Sequence, residues 1–322
     1  MINHYRSDNA QLIDFSNKYF YDNKLEFASY NHEIGKNAIK VYDVLDGQFR
    51  DDSTNIENAQ KDVEVMVANL DKYDSMIVIT ANVKQMDKVM SFISSDSILS
   101  EHLGKKINVS NLENIQGEEA DLVVFDTTYG KNADDKFTEN FGPIRTHNGK
   151  YRINVAVTRA KKEIDVVSSF APTDIKNASQ NEGIEIFKAY LQYANDCSNR
   201  KSLSDMYALN EENNNSQTEF NKRIFPKLEA VKEANMLISN FNIGSKNVDF
   251  AFMNSEYNAI NLIVLVDSLN DFQDETKWLE KVDFQRFLES RGYKVYRINE
   301  FEWFTKSNLI IEEITNSLKT NN

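Results

Sequence analysis

Cysteine is almost absent: Cys197 stands alone among 322 residues. That excludes an internal disulfide framework and any cysteine-rich zinc site, and it fits a reducing compartment. Three prolines and ten glycines leave little material for long flexible linkers. The four histidines, His4, His32, His102 and His147, show no metal-ligand spacing. No apolar run reaches the length of a membrane span. The opening segment MINHYRSDNAQ is polar and has no signal-peptide core. A cytoplasmic protein with no membrane partner is the expectation. Positive charge is also short. The net charge is −13 and both halves are acidic, so the balance does not advertise nucleic-acid binding, although a local groove could still hold a strand.

What is present is a globular mix, 41% hydrophobic and 27% charged. That is enough to bury a core without covalent staples, in a chain of about two domains. The spacing predicts helices over 8–20, with Asp8 as N-cap, and over 56–70. Met76 to Thr80 reads as a buried strand, followed by a helix through Val89 and Ile93. Asp121 to Asp126 and Ile164 to Ser169 are further short apolar runs. Strands alternating with helices predict a parallel sheet covered on both faces. After Ala171-Pro172 a helix is expected near 181–194, and Asn210 to Ser216 is the best linker candidate. Beyond it come helices near 217–235, 276–291 and 307–318, with apolar segments at 248–253, 260–267 and 293–298.

Three segments of the first half carry chemistry. They are His4-Tyr5-Arg6-Ser7 with the following Leu12 to Tyr21, Asn111 to Asp121, and Arg152 to Lys161. Their strings, HYRS…LIDFSNKYFY, NIQGEEADLVVF and RINVAVTRAK, resemble motifs IV, V and VI of superfamily 1 helicases. Thr80 and Gln85 are similar to a T-x4-Q element of the same family. They stand in the family's order, with the expected strand and helix contexts, and span nearly all of residues 1–170. The resemblance implies a second RecA-like motor domain. It implies Arg159 as the arginine finger and Arg6 as a second γ-phosphate arginine. Glu119 would accept from the nucleotide ribose, beside Gln116, Gly117 and Arg152 on the nucleotide side. Thr80 and Asn111 would touch a DNA or RNA backbone. Arginine suits its part, because its planar fork stays charged and stabilises charge developing on phosphate oxygens.

A Walker A loop is missing from these residues. Gly-Lys occurs at 35–36, 104–105 and 149–150. The residues five before each Gly are Tyr30, Leu99 and Ile144, and those after each Lys are Asn37, Lys106 and Tyr151. None fits G-x4-G-K-[ST]. ATP with Mg2+ is therefore expected only with a partner chain carrying the P-loop motor domain.

The second half contains Val248-Asp249-Phe250, Leu265-Val266-Asp267, a charged helix after Asp271, and Arg291-Gly292-Tyr293. It resembles the Vsr-like branch of PD-(D/E)XK endonucleases, found at the end of large bacterial helicase–nuclease proteins. The resemblance implies Asp249 and Asp267 as metal-site carboxylates, with Glu219 assisting. Leu265 stands where a third carboxylate belongs, and Phe272 where a polar residue is usual. The site is read as degenerate, with Mg2+ at most a residual ligand.

The expected architecture is α/β: a RecA-like domain at 1–172, a helical connector at 173–214, and a smaller restriction-endonuclease-like domain at 215–322. The expected function is the C-terminal half of a DNA or RNA helicase. The alternatives are a Mg2+-dependent endonuclease using Asp271 or Glu275, or an inactive remnant or interaction module.

Overall fold

The computed structural model describes residues 2–3, 7–199, 218–254, 256, 259–269, 271 and 275–319. Arg6, Phe272 and the linker candidate at 210–216 lie outside the described residues. Two short strands, β1 (Ile2–Asn3) and β2 (Leu25–Glu26), pair in parallel. Between them runs α1 (Gln11–Phe20), which begins three residues after Asp8.

The larger compact unit gathers Gln11–Asn23 and Asn37–Asn199. Its elements are β3 (Ile39–Asp43), α2 (Ile56–Asn69), β4 (Met76–Thr80), α3 (Val83–Ser95), β5 (Ile107–Asn111), β6 (Ala120–Asp126), α4 (Gly149–Val157), β7 (Ala160–Ser168) and α5 (Glu182–Ser198). All five strands from β3 to β7 run parallel, in the order β3-β7-β6-β4-β5. This is the RecA-like α/β sheet expected from the sequence. Every residue of β4 and β6 is buried, as a sheet covered on both faces requires. Successive side chains point to opposite faces. Ile77, Ile79, Val123 and Phe125 join a core with Leu12, Phe15, Ile153, Phe187 and Tyr190. Met76, Val78, Leu122 and Val124 join another with Met66, Val89 and Ile93. Helices α1, α4 and α5 thus cover one face, and α2 and α3 the other.

Helix starts follow from asparagine caps. Asn55, Asn82 and Asn181 each accept a backbone N–H three residues on. The α5 helix buries Ile184, Phe187, Tyr190 and Leu191 in the sheet's own core. The larger unit therefore continues past 172 to Asn199, and the described part of the segment expected as a connector packs against the sheet.

The smaller unit comprises the described parts of Met1–Ala10, Lys24–Lys36 and Arg200–Asn322. Its elements are α6 (Glu219–Ala230), β8 (Met236–Ile243), β9 (Lys246–Met253), β10 (Ile260–Asp267), α7 (Glu275–Ser290), β11 (Val295–Asn299) and α8 (Glu300–Lys319). The four strands make a mixed sheet, β11-β10-β9-β8. Only β10 and β11 are parallel, with α7 as the crossover. Two stretches from early in the chain belong to this unit. Asn31 donates to the Ile260 carbonyl at 2.8 Å and accepts its N–H at 2.9 Å. Tyr293 donates its hydroxyl to the Ser29 carbonyl at 2.8 Å, and Arg291 donates to the Ser7 carbonyl at 3.2 Å. The split is not linear in sequence, because backbone groups of 7–36 find their partners more than 200 residues away. Among the described residues, no helix is long and apolar enough to cross a membrane.

Candidate functional site

The motif V and VI segments lie side by side at the starts of β6 and β7. Ala120 donates its N–H to the Arg159 carbonyl at 3.1 Å. The Arg159 side chain folds back: Nε donates to the Val155 carbonyl and one terminal nitrogen to the Glu118 carbonyl, both at 3.0 Å. Lys161 pairs with Glu119 at 2.7 Å. Gly117 turns the chain between Ile115 and β6 at φ +91°, a left-handed conformation that favours glycine. Gln116, Gly117 and Glu119 are exposed. Arg152 donates to the Pro143 carbonyl at 2.9 Å and lies 3.5 Å from Glu113. A cavity of about 140 Å³ adjoins Glu118 and Glu119, with Lys105 and Lys106 on its wall. Arg159, Glu119, Gly117, Gln116 and Arg152 are thus gathered on two adjoining segments. Two of the Arg159 contacts are to carbonyl oxygens, which anchor the guanidinium without neutralising its charge. It can exchange a carbonyl for a phosphate oxygen.

Thr80 and Asn111 close β4 and β5 at the opposite edge of the sheet. Thr80 pairs with Asp126 at the far end of β6 from Ala120. At about 3.3 Å per residue, this edge lies roughly 20 Å from the β6 start. The direct strand contacts expected of these two side chains need correction. Both are fully buried. The Thr80 hydroxyl donates to the Asn82 carbonyl at 2.8 Å, and Asn111 Oδ1 accepts the Glu113 N–H at 2.8 Å. Each is committed to a tight turn, so the turns they shape, rather than their own polar atoms, face outward.

The same edge holds a buried polar network that the sequence reading did not assemble. Gln85 donates to Asp126 at 2.6 Å and to the Asn55 carbonyl at 2.8 Å, and accepts the Asn55 N–H at 2.8 Å. Asn58 and the Thr128 N–H reach the other Asp126 oxygen at 2.8 and 2.7 Å. Asp62, one turn beyond Asn58, is fully buried. Burial, and then the nearby Asp126 carboxylate, push its carboxyl well above the usual range. Burial raises Asp126 as well, against its hydrogen bonds from Asn58 and Gln85. The available sequence signal was polar residues at helical spacing (Asn55, Asn58, Asp62) on one face of α2.

In the smaller unit, Asp249 and Asp267 are both fixed by protein groups. Asp249 takes the Asn221 amide and the Val266 N–H, each at 2.8 Å. Burial raises its carboxyl. Asp267 is 1% exposed and takes Arg297 at 2.7 Å and Lys281 at 3.3 Å on one oxygen. Lys281 also reaches Asp271 at 2.6 Å. The expected Glu219 contribution is corrected. Its carboxylate is exposed and pairs with Lys222 at 2.7 Å, and the residue that α6 supplies to Asp249 is Asn221. Leu265 is buried in the apolar core. Two buried oxygens, Asp267 Oδ2 and Asn221 Oδ1, have no hydrogen-bond partner. Mg2+ is usually held by one or two carboxylates with water completing its shell, and here Arg297 and Lys281 already occupy one oxygen of Asp267. Among the described residues, no group of three His, Cys, Asp or Glu side chains is placed to hold a metal ion. These residues do not fit a divalent cation.

Comparison with known proteins agrees with the larger unit. Residues 1–171 match the family model AAA_12, described as an AAA domain. Two curated relatives match over 98% of this chain at 27% identity: proteins of Mycoplasma pneumoniae and Mycoplasma genitalium described as uncharacterized ATP-dependent helicases. The chain spans 29% of the length of each. On the match that covers more than half its length, and on the sheet that carries it, the chain belongs to the AAA-domain family of superfamily 1 helicases.

Proposed function

We propose that this chain supplies the second motor domain of an ATP-dependent nucleic-acid helicase. It would contribute the arginine finger and a strand-facing edge to an ATP cleft. A P-loop motor domain, covalently joined or separate, would contribute the phosphate cradle and hold Mg2+. The carrying observation is Arg159, anchored on the Val155 and Glu118 carbonyls beside exposed Glu119. Hydrolysis builds charge on the γ-phosphate oxygens, and a guanidinium brought in from the neighbouring domain stabilises it. Glu119 offers an acceptor to a ribose hydroxyl, Gly117 allows close backbone approach, and Gln116 and Arg152 border the same face. Arg6 is assigned a second phosphate contact on the family resemblance alone. The opposite edge, shaped by the Thr80 and Asn111 turns, is assigned to a DNA or RNA backbone. Contacts of that kind are largely independent of sequence.

The test uses the protein together with its P-loop motor domain and a nucleic-acid strand. Arg159→Ala is expected to lower kcat for ATP about a thousandfold, with strand affinity little changed. Arg159→Lys should not restore it, because an ammonium cannot replace the fork. Full ATP turnover by Arg159→Ala would overturn the assignment.

A further inference from the structure

The smaller unit carries a carboxylate site that nothing about the motor domain explains. Asp267 closes β10 and is buried to 1% exposure. A lone carboxylate in such a place would be strongly unfavourable. Its compensation comes from two directions. Arg297, paired with Leu265 in the register of β11 on β10, reaches Asp267 Oδ1 at 2.7 Å. Lys281, on α7, reaches the same oxygen at 3.3 Å and Asp271 at 2.6 Å. Both cations are themselves positioned. Arg297 donates to Gln285 Oε1 at 2.9 Å and to the Lys281 carbonyl at 2.8 Å, and its guanidinium lies over the Trp278 ring at 5.7 Å. Lys281 also approaches the Val266 carbonyl at 3.4 Å.

We infer that Lys281 and Arg297 replace a divalent cation on Asp267, so that this carboxylate pair is a metal-free ion-pair core and not a hydrolytic centre. Three observations converge. Two fixed positive charges already sit on one oxygen of this carboxylate, so an added dication there meets repulsion at Coulomb range. Asn221 gives Asp249 an amide donor, which satisfies the carboxylate without bringing further negative charge. Leu265 withdraws the remaining position into the hydrophobic core. The arrangement stabilises the parallel β10–β11 pair through side chains of β11 and of the crossover helix between the two strands.

The experiment measures Mn2+ binding by electron paramagnetic resonance on the full chain, and thermal unfolding in EDTA and in millimolar Mn2+. Expected are no bound Mn2+ that depends on Asp267 and the same Tm in both conditions. Arg297→Gln should lower the Tm of the smaller unit by about 5 °C or more. Should that variant fail to fold, Lys281→Gln, at a more exposed side chain, should give a smaller drop in the same direction. Bound Mn2+ that Asp267→Asn abolishes would overturn the inference. So would a Tm raised by Mn2+ in the parent and not in Asp267→Asn, or a Tm unmoved by both cation substitutions.

Discussion

Gln85 Nε2 sits 2.6 Å from Asp126 Oδ2, and that bond fastens the start of α3 to the end of β6. The same amide also pairs twice with the Asn55 backbone. Gln85→Ala would leave a buried carboxylate and a buried carbonyl without their donor. A loss of about 2–4 kcal/mol in unfolding free energy is expected by urea titration of the larger unit. Gln85→Met, which keeps the volume and removes the donor, should behave like the alanine variant. A loss under about 0.5 kcal/mol in both would show that water replaces the amide.

Asp165, in the middle of β7, gives a pH dependence of defined sign. Burial raises its carboxyl from the model-compound value of 3.8 to about 7, Glu163 adds repulsion, and Lys40 and Lys72 only partly oppose this. Tyr42 lies in the same group. The folded state therefore holds a proton that the unfolded chain releases above about pH 4. The stability contribution is complete below that pH and falls as pH rises through about 7, by up to about 1.4 kcal/mol per pH unit. Asp165→Asn should raise the Tm relative to the parent at pH 8, with the difference shrinking toward pH 4. Glu163 works in the opposite direction: burial would raise it, but Lys40, bonded at 2.6 Å, and Lys72 hold it below its usual value. The difference between variant and parent is therefore the quantity to read.

The strands most legible in the sequence are mainly the central ones, although the edge strand β11 was also foreseen as the apolar segment 293–298. The strands β4, as Met-Ile-Val-Ile-Thr, and β6, with its apolar run, are buried throughout because sheet neighbours and helices enclose them. The strands β3, β5 and β8 gave no apolar run, and all three are sheet edges. Their burial is incomplete, so Ile-Asn-Val-Ser-Asn forms a strand through its pairing with β4 and not through its composition. The site divides in the same way. Motifs V and VI were legible because their residues are adjacent in sequence and act through a fixed local geometry. The cations on Asp267 come from Lys281 and Arg297, 14 and 30 residues further along. Only the packing of α7 and β11 onto β10 brings them there. Thr80 and Asn111 show the converse: the motif identified the turns, but burial decided which atoms face out.

Two glycines with left-handed backbones should respond differently to alanine. Gly117 has φ +91° with nothing within 4 Å of an added Cβ, so only backbone strain, about 1 kcal/mol, is expected. Gly244 has φ +66°, and an added Cβ would lie 2.2 Å from the Phe27 carbonyl oxygen. That oxygen already accepts the Ser245 N–H at 2.9 Å. Gly244→Ala must therefore move backbone, and a loss of about 2–4 kcal/mol is expected. Equal losses at the two positions, measured by chemical denaturation, would refute the steric argument.

Asn31 tests whether the early segment is structurally part of the smaller unit. Its side-chain amide matches both backbone groups of Ile260 at the start of β10, in the manner of a strand partner. Asn31→Ala removes both bonds and leaves a buried edge unpaired, so a loss of about 1–3 kcal/mol is expected. The more discriminating readout is amide exchange. The Ile260 N–H, which donates to Asn31 and not to a neighbouring strand, should lose protection by tenfold or more. The Ile263 N–H, bonded to the Lys294 carbonyl at 2.9 Å, should change only with global stability. Equal loss at both amides would mean that Asn31 acts through the whole unit and not as a local edge cap.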